Sequence, residues 1–182
     1  MDNIDKVPPS NLEAEMSTLG SMLLDRDAIA KVIEILKPKD FYREAHRVIF
    51  KAINQLFDKG EPVDLVTVSS ELREKEQLEN IGGASYITSL VNSVPTSANV
   101  EHYAKKKKKK SILRRLIKTA SQISQSAYQG DQEIDYILDD AEQLIFNISQ
   151  RRTVQSFDGI KNILMDTFDN LEQLYNNKGD VT

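Results

Sequence analysis

Apolar residues return every three or four positions along most of this chain, the spacing of amphipathic helices rather than strands. Leu12, Met16, Leu19 and Leu23 form the first such line, preceded by Pro8-Pro9 and by Ser10 with Glu13 at capping-box spacing. Ile29, Val32, Ile33 and Leu36 form a second, with Asp27 as the expected N-cap and Pro38 as the stop. Phe41 and Tyr42 lead into a third, on which Ala45, Ile49, Ile53 and Phe57 align until Lys59-Gly60 closes it. A fourth helix is expected over 65–75, although Val63, Val66 and Val68 taken alone could pass for a strand. Gly82-Gly83 reads as a turn, handing over to a fifth helix across 86–91 that ends in a loop at Val94-Pro95.

Beyond residue 97 the pattern changes. Neither Pro nor Gly interrupts 98–128, which predicts one helix of roughly 30 residues, ~45 Å long, ended by Gly130. A second long helix is expected over 133–151, with Ile134, Leu138, Ala141, Ile145 and Ile148 as its seam. The link between the two is short, so they should fold back as an antiparallel hairpin. Their charges match: the first is basic, while the second carries Asp131, Glu133, Asp135, Asp139, Asp140 and Glu142 with no base before Arg151. After a polar break at 153–155, Ser156 can cap a last amphipathic helix. Its stripe includes Phe157, Ile160, Leu164, Phe168 and Leu171, and nothing is left in the chain to bury it. Such a stripe is expected to dock on a partner or a neighbouring subunit. The fold class is therefore all-α: a small helical head (1–97), a long antiparallel helical hairpin (98–152) and a linker helix (153–182).

Composition narrows the class further. Of 182 residues, 40% are hydrophobic, and 7 Gly with 5 Pro are too few turn formers for a many-stranded β protein. The absence of Cys removes disulfides, thiolate metal sites and a cysteine nucleophile together. The first ten residues lack a signal-peptide core, and no apolar run approaches the ~18 residues of a membrane span. A soluble, cytoplasmic protein with no membrane partner is the expectation.

The sequence contains no G-x-x-x-x-G-K-[ST] loop to hold a nucleotide triphosphate. His46 and His102 stand far apart without ligand spacing and read as structural histidines. Acid pairs such as Asp139-Asp140 belong to a solvated helix face. No catalytic, cofactor-binding or metal-binding residues are assigned, and the chain by itself is expected to have no enzymatic activity.

Charge distribution matters more than its sum. Residues 105–118 hold six consecutive Lys, then Arg114, Arg115 and Lys118, with no acid: nine positive charges in a chain of net −4, so the remainder carries −13. Arg114, Arg115 and Lys118 are candidate phosphate contacts, but a solvated helix face is the favoured reading of the block, since general nucleic-acid binders carry a broader basic surface. Extending the seam Leu113, Leu116, Ile117, Ala120 and Ile123 backwards puts Lys106 on an apolar line, where an unpaired ammonium is unfavourable. This helix also carries more apolar residues than one seam needs, with Ile112 and Tyr128 off the line. The excess implies a further contact, to a neighbouring copy or a partner.

Several stretches resemble bacterial DnaB-type replicative helicases. They are Pro8-Pro9-Ser10-Asn11-Leu12-Glu13-Ala14-Glu15, Leu19-Gly20-Ser21-Met22, Asp40-Phe41-Tyr42-Arg43 with Ala45-His46, residues 61–68, Gly82-Gly83-Ala84-Ser85-Tyr86, residues 93–103 and Arg114-Arg115-Leu116-Ile117. The final Asn177-Lys178-Gly179-Asp180-Val181-Thr182 looks like that family's lead-in to its motor domain. The similarity runs in order through nearly the whole chain. It departs at Lys105 to Lys110, where the family usually mixes aliphatic and acidic residues.

The resemblance implies an N-terminal collar in which heads pair, hairpins pair and six copies form a ring as a trimer of dimers. It implies docking of primase on that collar, a possible helicase loader, and packing of Phe157, Ile160, Leu164, Phe168 and Leu171 against a neighbouring motor. It also implies that ATP and Mg²⁺ are used, and single-stranded DNA is gripped, by a motor domain absent from this chain. Tyr86, Leu113, Leu116, Ile117, Ile123 and Tyr128 are the expected partner or oligomer contacts. A stand-alone helical adaptor or helicase loader is the alternative.

Overall fold

Asn11 sets the start of the first helix. Its Oδ1 accepts the Ala14 N–H at 2.8 Å, and α1 runs Leu12–Leu24. In the computed structural model, residues 7–153 are described except Pro95 and Gln132, the side chains of 151–153 also being left aside. Asn11, not the expected Ser10, is therefore the N-cap. Asp25 likewise caps α2 (Arg26–Ile35) by accepting from the Asp27 N–H, so Asp27 is a first-turn residue rather than the cap. Both shifts have one cause: the cap is whichever residue leaves helical φ/ψ with its oxygen over the free N–H groups.

A single 3-10 turn at Pro38–Asp40 leads to α3 (Glu44–Asp58). The valine-rich segment resolves as α4 (Leu65–Glu74), because Asp64 Oδ1 accepts from both Val66 N and Thr67 N and holds the first turn. A second 3-10 turn, Glu79–Ile81, ends at Gly82, whose φ of 101° lies in the left-handed region. α5 follows at Gly83–Asn92, then α6 at Val100–Gln129 and α7 at Ile134–Thr153. Among the described residues every regular element is helical, as expected of an all-α chain.

The chain divides into two compact units, Met1–Gln125 and Ser126–Thr182. In the first, the core gathers Leu19, Met22, Ile29, Val32, Leu36, Phe41, Ile49, Phe50, Ile53, Leu56, Val68, Leu72, Ile87 and Leu90, with Val100 and Ala104 from the start of α6. α1 lies at its centre, packed on α2, α3 and α5. Gly20 makes the α1–α5 approach possible: a Cβ there would fall 2.2 Å from the Leu90 carbonyl oxygen and 2.8 Å from Val94 Cγ2. The buried hydroxyls of Thr18 and Ser21 donate to the carbonyls of Ala14 and Ser17 one turn earlier, which leaves neither without a partner.

In the second unit, Ile137, Ala141, Leu144 and Ile148 are the half-buried line of α7, while Ile134, Leu138 and Ile145 of the expected seam are exposed. The helix carries apolar residues on two adjacent lines, so periodicity alone does not choose between them. The linker stripe Phe157, Ile160, Leu164, Phe168 and Leu171 lies outside the described residues.

Candidate interaction surface

Two carboxylates buried in the head organise this region. Glu15 projects from α1 into the space between α3 and α6 and is almost fully buried. Its Oε1 accepts the Tyr42 N–H at 2.7 Å, and its Oε2 lies 2.6 Å from His46 Nδ1. An ionised carboxylate only accepts, so Nδ1 carries the proton and His46 Nε2 is free to accept from the Tyr86 hydroxyl at 2.7 Å. Arg43 Nη1 donates to the same hydroxyl at 3.1 Å. A directed chain thus runs Arg43 → Tyr86 → His46 → Glu15. Burial raises the Glu15 carboxyl's pKa, but the His46 hydrogen bond, the Lys107 charge and the Tyr42 N–H outweigh it and hold the group below its usual range.

Asp40 is the second buried acid. Its Oδ1 accepts from the Ser111 hydroxyl at 2.7 Å, and its Oδ2 accepts from Lys108 Nζ and the Lys37 N–H, each at 2.9 Å. Arg115 Nη2 stands 3.7 Å from Oδ1. Here too burial raises the pKa, while the Ser111 and Lys108 hydrogen bonds reverse the shift and keep the group ionised. Arg114 completes the attachment by donating to the backbone carbonyls of Pro9, at 2.7 Å, and Asp40, with its guanidinium over the Tyr42 ring. The helix that begins at Val100 is therefore fastened to the head largely through charged side chains.

The lysine run splits by face. Lys107, not Lys106, is the buried one: the inward line is Val100, Ala104, Lys107, Ser111 and Thr119, and Lys106 is exposed. The backward extension missed it because it began from Leu113, Leu116 and Ile117, which turn outward and are 44%, 46% and 53% exposed. These three, with exposed Ala120, follow the i, i+3, i+4, i+7 spacing of a single apolar strip. Ile123 is half-buried, and Tyr128, in the second unit, is 90% exposed. Tyr86 is half-buried with its hydroxyl turned inward.

Of the candidate phosphate contacts, Arg114 and Arg115 are engaged with the head, and Lys118 alone is exposed. His46 is a satisfied structural histidine, as expected. His102 is exposed on α6, its ring in a T-shaped arrangement with that of Tyr103, and does not fit that reading.

Glu15 and Asp40 were missed as organising groups. The available signal was weak: Glu15 sits beside the apolar line of α1, and Asp40 stands between Pro38 and Phe41, but their partners lie 31 and 71 positions away.

The unit is thus an all-α head fastened to a long helix whose Leu113, Leu116 and Ile117 stay exposed. The DnaB-like helicase N terminal domain family matches residues 7–108, and the chain belongs to that family. The replicative DNA helicase DnaC of Bacillus subtilis (strain 168) is 49% identical over 178 residues, which is 98% of this chain and 39% of that protein. This chain thus spans about two fifths of that relative's length. The crystal structure of the N-terminal domain of DnaB helicase from Mycobacterium tuberculosis is similar with a TM-score of 0.75 and 43% identity, covering 78% of this chain and 99% of that one. The N-terminal domain of DnaB helicase from Helicobacter pylori, described together with its interactions with primase, has a TM-score of 0.57 over 64% of this chain and 90% of its own; at 23% identity it shares the fold. Among the described residues no helix is long and apolar enough to cross a membrane.

Proposed function

We propose that this chain is the collar of a hexameric replicative DNA helicase, providing the ring scaffold and a platform for primase. The observation that carries the reading is the strip Leu113, Leu116 and Ile117, left exposed on α6 in a chain of this family. Contiguous apolar side chains on a helix mark a docking surface. In this reading the head (1–97) and hairpin (98–152) pair with other copies in a trimer of dimers. Tyr86, Ile123 and Tyr128 join Leu113, Leu116 and Ile117 in these partner or oligomer contacts, and a helicase loader is a further partner. The linker (153–182) ties each copy to a neighbouring motor through Phe157, Ile160, Leu164, Phe168 and Leu171.

The motor, elsewhere in the full-length protein, would hold ATP and Mg²⁺ and move along single-stranded DNA in the cytoplasm. The sequence here has no phosphate loop for that chemistry. Arg114 and Arg115 fasten α6 to the head, so any DNA contact from this region falls to Lys118 and the outward lysines.

Replacement of Ile117 by Asn tests the proposal. The variant should keep its helical circular dichroism and lose oligomer mass in solution, primase capture or both. Unfolding would make Ile117 a core residue, and unchanged assembly and capture would put the interface elsewhere.

A further inference from the structure

We propose that the Glu15–Lys107 pair is a proton-operated latch between the head and the first turns of α6. Lys107 Nζ is fully buried and stands 3.5 Å from Glu15 Oε1 and 3.5 Å above the centre of the Phe41 ring. The ammonium makes no hydrogen bond among the described residues. Its three N–H donors have therefore exchanged water for one long ion pair and an aromatic face. That is a poor substitute in an apolar setting. α6 contributes only Val100 and Ala104 to the apolar core of the unit. Its hold on the head depends on Val100 and Ala104 together with the charged contacts of residues 107–115. Lifting this stretch would rehydrate Lys107 and withdraw only Val100 and Ala104 from the core.

The direction of the response follows from the charge. Burial lowers the Lys107 pKa and the attraction of Glu15 and Asp40 recovers only part of the loss, which leaves it at about 8 against the ordinary 10.5. A hydrated Lys107 keeps its proton up to its ordinary value, so the open state binds more protons than the closed state between these limits. Closure therefore strengthens as pH rises through that window and weakens as pH falls toward 7. The ionisable neighbours are Glu15 on α1, Asp40 in the 3-10 turn, His46 on α3 behind Glu15, and Lys108, Arg114 and Arg115 on α6. Both carboxylates sit below their usual range and remain ionised throughout. The latch stands independently of what docks on α6.

Amide hydrogen exchange of the intact chain from pH 7 to 9, corrected for intrinsic rates, tests it. Opening of residues 100–115 should fall about tenfold across that range, given a closed-state pKa of about 8 and an open-state value of 10.5. Lys107→Met should show greater protection and no slope. Three results would overturn the latch. One is protection in the wild type that does not vary with pH. Another is the same slope in Lys107→Met, which would assign it to a different group. The third is an equal slope in α4, which would mean that Lys107 titrates only with unfolding of the whole head.

Discussion

Ser111 donates its hydroxyl to Asp40 Oδ1 at 2.7 Å across 71 positions of sequence, and both side chains are buried. The same carboxylate holds Lys108 and the Lys37 N–H, so a single acid joins the turn before α3 to the middle of α6. Replacing Asp40 by Ala would leave the Ser111 hydroxyl unpaired and the Lys108 ammonium without its acceptor. Removing one member of a buried charged network costs about 3–5 kcal/mol, to be read from the urea midpoint at constant m. Asp40→Asn keeps an acceptor for Ser111 and should lose less.

Gly20→Ala puts a methyl group 2.2 Å from a backbone oxygen, where no rotamer can relieve it. α1 and α5 must move apart, and overpacking of this kind costs about 1–3 kcal/mol. Thermal unfolding should show a lowered Tm with helix content retained in the folded state.

Tyr86→Phe removes the hydroxyl that links Arg43 to His46 and leaves the ring in place. His46 Nε2 then loses its donor, at a cost of about 1–3 kcal/mol for an unsatisfied buried acceptor. If Tyr86 meets a partner through its ring, Tyr86→Phe should bind that partner as the parent does, while Tyr86→Ala should not. Parallel urea melts and capture assays separate the two roles.

Acid should loosen the head. Glu15 and Asp40 ionise in the fold below their ordinary values of 4.5 and 3.8. As pH falls, the unfolded chain takes up protons first, so their contribution is complete above those values and is lost as pH drops through the lower folded ones. The urea midpoint should fall from pH 5 to pH 3, and less steeply in Asp40→Asn, which has one fewer acid to titrate.

Helix content was legible because the apolar residues keep helical spacing and because Gly82 and Gly130 stand where left-handed backbone is needed (φ 101° and 62°). Caps were legible only to within two residues. Ser10, Asn11, Asp25 and Asp27 are all competent caps, and backbone geometry selects among them.

The inward face of α6 was misread because the helix carries two lines. The more apolar one, Leu113–Leu116–Ile117, points out, while the line that meets the head includes Lys107, Ser111 and Thr119. Hydrophobicity could not rank a polar line above an apolar one. What reverses the order is a pair of buried acids, contributed by α1 and by the turn before α3. Nothing in the local pattern around α6 announces them.

Those two acids also wait longest for their partners as the chain is synthesised. A nascent chain that has reached residue 97 already holds the whole apolar core except Val100 and Ala104. Asp40 would then have neither Ser111 nor Lys108 to face, and Glu15 would lack Lys107. Until α6 covers them these carboxylates face water, and Glu15 already has His46 and the Tyr42 N–H while Asp40 has the Lys37 N–H. The next fifteen or so residues bring the remaining partners, so α6 joins a core whose apolar part is already complete but for two side chains.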